Sequence, residues 1–431
     1  MRDAFAKLAR EQVKTSIFAL GIFPIVLGDK WRYRARRRVF KFTLMCSLVL
    51  NLELFMQMKL KITVAAAIAA AAGGVIAQDM IVKIGHVGPI SGGIAHLGKD
   101  NENGARLAIE ELNTQNIVIG GKKAKFELVA EDDAGDPKQG TAVAQKLCDM
   151  KVAGIVGHLN SGTTIPAAKI YSECGIPHVT PSATNPSLTK PGYRTTFRII
   201  ANDLALGAGL AFYAADAMKL KRVAVIDDRT AYGQGVAEVF KKTAAAKGIT
   251  IVDEQFTTDK SSDFMSILTA IKAKNPDAVF FGGMDAVAAP MLRQMEQLGL
   301  TNVKFFGGDG ICSAKLIELS AGAKTLNGVI CAEGGASLDK MPGGGGFKKK
   351  YADRFKTEIQ LYSPATYDAT YLLVDAMKRA NSIDPKVYIP ALLASNFKGV
   401  TGTIAFEPNG ELKNPSMTLY SFQDGTKKPL N

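Results

Sequence analysis

The chain has 431 residues with 53 Lys+Arg against 40 Asp+Glu, 47% apolar and 22% charged residues, five Cys and a single Trp. This is the composition of a globular protein too long for one hydrophobic core, and it excludes disordered, collagen-like and disulfide-dense chains. The net charge of +13 does not mark a nucleic-acid surface: residues 1–57 hold 11 Lys/Arg against 4 Asp/Glu, Lys59 and Lys61 add two more, and the rest of the chain carries only +4, with no basic helix or aromatic-basic ladder.

Residues 58–77 read MKLKITVAAAIAAAAGGVIA. Two lysines, an apolar run over 62–72, a Gly-Gly break and small residues up to Ala77 make the three regions of a secretory signal peptide, cleaved after Ala77. A buried Ala-rich helix would need polar positions at helical spacing, and 62–72 has essentially none. Residues 1–57 read two ways. One is a basic flank, WRYRARRRVFK at 31–41, followed by a signal anchor that is short and interrupted for a span. The other is a dubious extension ahead of a true start at Met58, which would leave the only Trp, Trp31, out of the mature protein. The second reading fits a signal peptide's place at the start of a chain.

Export would put the cysteines in an oxidising compartment. Apart from Cys46 in the leader, Cys148 and Cys174 lie near the ends of successive predicted helices, and Cys312 and Cys331 flank a short helix-turn unit. Cys148–Cys174 with Cys312–Cys331 is the most local of three connectivities. No CxxC is present, which argues against a redox or zinc motif.

From Val82 on, β-branched runs alternate with helical patterns. VKIGHVG precedes an amphipathic helix over 101–113, FELVAEDD precedes a helix opened by Pro137, and GIVGHLNSG and HVTPSATNP follow. The rhythm restarts at RVAVIDDR, with a helix over 232–247, ITIVDEQF, a helix capped near Ser261 or Ser262, DAVFFGGMD and KFFGGDG. A Gly-rich loop, MPGGGGFKKK, then leads to a helix over 366–380. Repeated strand-helix units predict an α/β protein with two doubly wound parallel-sheet lobes. Lobe 1 is expected over 78–201 and 333–403, and lobe 2 over 202–332 and 404–431. Ligands in such sheets lie beyond the C-terminal strand ends, so the site is expected in the interlobe cleft.

Three loops there carry usable chemistry. Residues 160–164 (NSGTT) and 182–185 (SATN) combine hydroxyls with backbone N–H groups at helix starts, including that of Ala183, and suit a carboxylate. The alternative is that Ser161, Thr163 or Thr184 only caps its helix. Asp309, among glycines in FFGGDG, could face an ammonium group or be a solvated turn residue. Tyr232 ends a strand of the second lobe. An anion site opposite a carboxylate suits a free amino acid.

The stretches VGPISG, DDAGDPKQG, GIVGHLNSGTT, PHVTPSATNPSLT, RVAVIDDRTAYGQG, AAPMLRQMEQLGL and FFGGDG resemble, in order and spacing, the periplasmic leucine/isoleucine/valine-binding proteins. The resemblance covers essentially all of 82–431. It implies a type I periplasmic binding fold with three hinge crossings and delivery of an amino acid to an ABC permease in the inner membrane. It also implies that Ser161, Ser182 and Thr184 hold the ligand carboxylate, that Asp309, where the family usually has glutamate, meets the ammonium, and that Tyr232 closes on the ligand. Leu97 and Met284 stand where aromatic pocket residues are frequent, and Gly135 and Asn160 replace the family's cysteine pair.

HExxH, GxSxG and GxxxxGK[ST] motifs are absent. His86, His158 and His178 read as packed or solvated, and His96 as able to reach the cleft and join the ligand-binding residues. Glu131, Asp132, Asp133 and Asp136 lack EF-hand spacing and read as a solvated turn. The expectation is a non-enzymatic, monomeric binding protein without cofactor or metal, taking a branched-chain or other apolar amino acid. The alternatives are a binder of small amides or aromatic carboxylates and a membrane-anchored sensor of the same fold.

Overall fold

The structure, a computed structural model, describes residues 79–430 and helical positions between Phe40 and Lys59. Chain contacts separate two units, Met1–Ala77 and Gln78–Asn431. In the first, the described residues are helical and exposed, and no helix among the described residues is long and apolar enough to cross a membrane. Trp31, Cys46 and most of the expected signal peptide, with its cleavage point at Ala77, lie outside the described residues.

The second unit contains two sheets. The first begins with β1 (Met80–Gly88), helix α1 (Ala95–Thr114), β2 (Val118–Ile119) and β3 (Lys122–Asp132). It continues through α2 (Pro137–Asp149), β4 (Gly154–Gly157), α3 (Ser161–Cys174), β5 (His178–Thr180) and β6 (Thr196–Arg198). The strand order is β2-β3-β1-β4-β5-β6, parallel except for the β2–β3 pair. Helix α2 starts where it does because Pro137 occupies its first turn and the Asp136 side chain accepts from the N–H groups of Lys138 and Gln139, a cap worth about 1 kcal/mol.

The chain then enters the second sheet with α4 (Asp203–Phe212), β7 (Arg222–Asp227), α5 (Ala231–Ala246), β8 (Thr250–Phe256), α6 (Met265–Lys272) and β9 (Ala278–Gly282). It goes on through α7 (Asp285–Gln297), β10 (Lys304–Gly307), α8 (Lys315–Leu319) and β11 (Val329–Gly334). Strand β9 is buried along its whole length, as a strand covered by helices on both faces must be. The cap expected at Ser261 or Ser262 is not formed: α6 starts later, after Phe264, and Ser261 bonds Thr258 instead.

Past β11 the chain returns to the first sheet with α9 (Gly344–Phe355), α10 (Ser363–Ala380), α11 (Pro385–Leu393) and the small hairpin β12 (Asn396–Lys398) and β13 (Thr403–Ala405). The Gly-rich stretch expected as a loop is therefore in part helical, since Gly344 and the two glycines after it open α9. Helix α10 lies against α1 because Gly104 leaves no side chain where the Ser363 carbonyl passes. Strands β14 (Met417–Gln423) and β15 (Thr426–Pro429) complete the second sheet, ordered β15-β14-β11-β10-β9-β7-β8.

The chain thus passes from the first sheet to the second after β6, leaves it after β11 and rejoins it at β14, which makes three crossings. Two expected boundaries shift. Ile404 and Phe406 pack into the core of the first lobe, and Phe406 bridges to Leu412, so lobe 1 runs on to Leu412 rather than ending at 403. Strand β11 stays in the second sheet to Gly334, past the expected change at 333. Disulfides join Cys148 to Cys174 and Cys312 to Cys331.

Candidate functional site

In each lobe the strand order reverses once. In the first sheet β1 lies between β3 and β4, and in the second β7 lies between β8 and β9. Loops leaving neighbouring strands at such a point part to opposite faces and leave a crevice at the C-terminal strand ends. The first turns of the helices after β1 and β4 carry His96, Leu97 and Ser161, the first turn of the helix after β7 carries Tyr232, and the segments directly after β9 and β10 carry Met284 and Asp309. The topology therefore brings the residues singled out in the sequence to two facing rims.

On the first rim, hydroxyls serve the loops rather than the helix caps. Asn160 precedes α3 without a side-chain cap, and Ser161 Oγ accepts from the N–H of Asn185 at 3.1 Å. Thr163 Oγ1 and Thr164 Oγ1 donate back to the Asn160 carbonyl. Ser182 Oγ donates to the Leu159 carbonyl at 3.1 Å and accepts from Asn101 Nδ2 at 3.4 Å. Thr184 Oγ1 is buried and makes no hydrogen bond among the described residues. Capping therefore does not account for Ser161 or Thr184. The first turn of α3 adds backbone N–H groups that favour an anion.

On the second rim, Asp309 is buried rather than solvated. Its Oδ2 accepts from Tyr362 Oη at 2.9 Å, and its Oδ1 has no partner among the described residues. Tyr232 Oη accepts from the N–H of Gly310 at 2.9 Å, which seats the ring beside Asp309. Burial pushes the Asp309 carboxyl up to about 6, while the hydroxyls of Tyr232 and Tyr362 pull the other way. Leu97, Leu159, Tyr232, Met284 and Tyr362 belong to one buried apolar cluster that joins the lobes.

Among the described residues, three side-chain hydrogen bonds also cross the cleft. Tyr362, at the start of α10 in lobe 1, reaches Asp309 in lobe 2. His96 Nε2 lies 2.6 Å from Asp285 Oδ2, which also accepts from Ser313 Oγ. Asn185 Nδ2 donates to the Ala231 carbonyl at 2.5 Å. His96 thus spans the lobes with its ring bonded to Asp285. Behind Asp309 and Tyr362 lies a cavity of about 250 Å³, with Ile200, Gly334 and Asn414, one from each crossing, in its wall.

Two residues of the site were not singled out in the sequence. Asp203, the first residue of α4, is fully buried, and neither carboxylate oxygen has a hydrogen-bond partner among the described residues. Its carboxyl is pushed up to about 8, first by burial and then by the charge of Asp309. Its backbone N–H donates to the Thr184 carbonyl, tying it to the hydroxyl loop. In the sequence it stands in RIIAND, which reads as a lobe boundary; its place at a helix start behind a strand is the signal that could have found it. Tyr362 was missed because the helix expected at 366 starts at Ser363, a start that Pro364 marks.

The other polar clusters are structural. Asp133, expected in a solvated turn, is buried, with Oδ2 2.8 Å from His158 Nδ1, and His158 Nε2 lies 2.8 Å from Tyr171 Oη. His86, His158 and His178 are buried on or just after three neighbouring strands. Among the described residues no group of His, Cys, Asp and Glu could hold a metal ion.

The family model for periplasmic binding proteins matches residues 81–427. A leucine-, isoleucine-, valine-, threonine- and alanine-binding protein of Pseudomonas aeruginosa is 33% identical over 351 residues, covering 80% of this chain and 91% of that protein. The crystal structure of a leucine-binding protein from Thermotoga maritima has a TM-score of 0.74 at 27% identity, covering 81% of this chain and 98% of that one. A solute-binding protein of an R. palustris ABC transporter, in complex with benzoate, shares the fold with a TM-score of 0.72 at 22% identity, covering 81% of this chain and 96% of that one. With the lobes, the crossings and the matched length in agreement, the chain belongs to the periplasmic leucine/isoleucine/valine-binding protein family and has its type I periplasmic binding fold.

Proposed function

We propose that this protein is the periplasmic substrate-binding protein of an ABC importer and that it closes its lobes around a free apolar α-amino acid. Ser161, Ser182, Thr184 and the backbone around Ala183 take the carboxylate, Asp309 takes the ammonium charge, and Asp203 adds a second acceptor. Leu97, Met284 and the rings of Tyr232 and Tyr362 surround the side chain, and His96 latches the lobes outside it. The observation that carries this reading is the facing of a hydroxyl-rich rim against buried carboxylates with unpartnered oxygens. A buried carboxylate without a donor is costly, and a ligand ammonium supplies both donors and countercharge.

Closure follows because such a ligand touches both rims and so binds the closed state better, shifting the hinge equilibrium. The closed, ligand-loaded protein is then the form that an inner-membrane permease would receive, and we read the protein as a monomer without cofactor. Buried Asp309 disfavours aromatic carboxylates, which bring a negative charge and no ammonium. Calorimetry with L-leucine, leucinamide and 4-methylpentanoate tests the assignment. The amino acid is expected to bind at least about a hundredfold more tightly than either truncated form, since 4-methylpentanoate leaves buried Asp309 without its countercharge and leucinamide gives up the charge-assisted bonds from the hydroxyls and N–H groups. Tighter binding of 4-methylpentanoate would overturn it.

A further inference from the structure

Arg198 is the last residue of β6, and the first crossing leaves the lobe directly after it. It is fully buried, and its guanidinium is shared between two targets. Nη1 donates to the carbonyls of Ala183 and Asn185 at 2.8 and 2.9 Å. Nε and Nη2 donate to the two carboxylate oxygens of Glu411 at 3.0 and 2.5 Å. Glu411 sits next to the third crossing; it also accepts from Thr189 Oγ1 at 2.5 Å and from Asn202 Nδ2 at 3.5 Å. Asn202 in turn caps α4, the first helix of lobe 2.

The two carbonyls held by Nη1 flank Thr184. Drawing both of them toward Arg198 fixes the peptide plane before Thr184 and the one after Asn185, and so holds the backbone that presents Thr184 and the N–H groups of 184 and 185. A planar guanidinium with five donors in a fixed fork can hold two carbonyls and a carboxylate at once; an ammonium cannot reproduce that geometry.

We propose that Arg198 and Glu411 are positioning residues that lock the carboxylate-binding loop at 182–185 to the first and third hinge crossings, so that loop geometry and lobe closure change together. This rests on the proposed amino-acid site, since it assigns the loop its role. A ligand that tightens on the loop thereby pulls on the residues from which two of the three crossings depart. Conversely, hinge positions that strain the Arg198–Glu411–Asn202 contacts loosen the loop.

The test uses the full chain and the variants Arg198→Lys and Glu411→Gln, with Asp368→Asn as a destabilised control. Asp368 accepts from the backbone N–H groups of Val400 and Thr401 in the same lobe and does not touch the loop. Three readouts are taken: amide hydrogen exchange over 180–186 without ligand, the affinity for L-leucine, and lobe closure at saturating leucine by small-angle scattering. In both loop variants exchange over 180–186 is expected to quicken, leucine affinity to fall roughly tenfold to a hundredfold, and closure to be incomplete at saturation. The control is expected to melt earlier with affinity and closure unchanged.

Unchanged exchange and full closure in folded Arg198→Lys and Glu411→Gln, or equal losses in Asp368→Asn, would overturn the proposal and leave the pair a structural ion pair. If the parent protein does not bind leucine, the amino-acid reading fails, and the exchange measurement still decides whether Arg198 and Glu411 organise the loop.

Discussion

The hydroxyl of Tyr362 donates to Oδ2 of Asp309 across the cleft, so a phenol from one lobe fixes the orientation of a carboxylate in the other and leaves Oδ1 free. The hydrogen bond favours the ionised form, against burial that holds the carboxyl at about 6. If Asp309 receives a ligand ammonium, binding weakens as the pH falls through about 6, because the protonated acid offers no charge. Tyr362→Phe removes a group that lowers this value, so its acid limb is expected to move to higher pH, with affinity at pH 7 reduced about threefold to thirtyfold. Titration of the affinity from pH 5 to 8 checks both; an unmoved limb would separate Tyr362 from the site.

Asp203 and Asp309 should differ in what they contribute. At pH 7 the higher value of Asp203 keeps it protonated in the unliganded protein, so Asp309 carries the charge. Asp309→Asn is expected to cost about a hundredfold or more in affinity, and Asp203→Asn about tenfold or less, because an amide retains an acceptor oxygen. The stability effect has a definite sign. Between its ordinary value of 3.8 and about 8, Asp203 holds a proton in the folded chain that the unfolded chain has released, so its contribution to stability is lost as pH rises through about 8. Asp203→Asn is therefore expected to raise the melting temperature at pH 8 by about a few degrees. Differential scanning at pH 5 and 8 reads this directly, and a gain at pH 5 alone would contradict it.

His96 holds Asp285 from the opposite lobe, and we propose that it does so outside the ligand pocket. His96→Ala removes an interlobe contact without touching the ligand, so affinity should fall about threefold to tenfold for every amino acid alike. Dissociation rates by stopped flow should rise correspondingly. A change in the ranking of ligands would instead make His96 part of the side-chain pocket.

The disulfides close short loops, their partners standing 26 and 19 residues apart in sequence. Chain-entropy arguments assign each about 3 kcal/mol. Reduction under denaturant titration is expected to lower the midpoint without changing ligand ranking, since Cys148, Cys312 and Cys331 pack in apolar clusters other than the one formed by Leu97, Tyr232, Met284 and Tyr362. Loss of neither stability nor the transition midpoint would contradict the assignment of these bonds.

Much of this fold is legible in the chain because parallel strands announce themselves as short β-branched runs followed by helices, as in DAVFFGGMD. The hydroxyl loops, Tyr232 and Asp309 were legible for the same reason, since each sits where a strand runs into a helix. Asp203 was not, because a buried acid in a lobe connection looks like any helix-capping aspartate until its surroundings are known. Tyr362 and Arg198 act through partners 53 and 213 residues away in sequence, separations that no local pattern encodes. Ile404 and Phe406 pack with Val82, Ile84 and Phe126, a contact not legible in the sequence because the alternation of a short hairpin does not say against which core it packs.

The central claim is tested most directly by thermal unfolding of the ligand-stripped protein against L-amino acids, small amides and benzoates. A ligand that binds only the folded state adds RT ln(1 + [L]/Kd), about 2.7 kcal/mol at a hundredfold excess over Kd, enough to move the midpoint by several degrees. Leucine, isoleucine or valine is expected to give such a shift, abolished by Asp309→Asn. A shift with benzoates or amides and none with any amino acid would contradict the account, because the buried carboxylates would then face no ammonium.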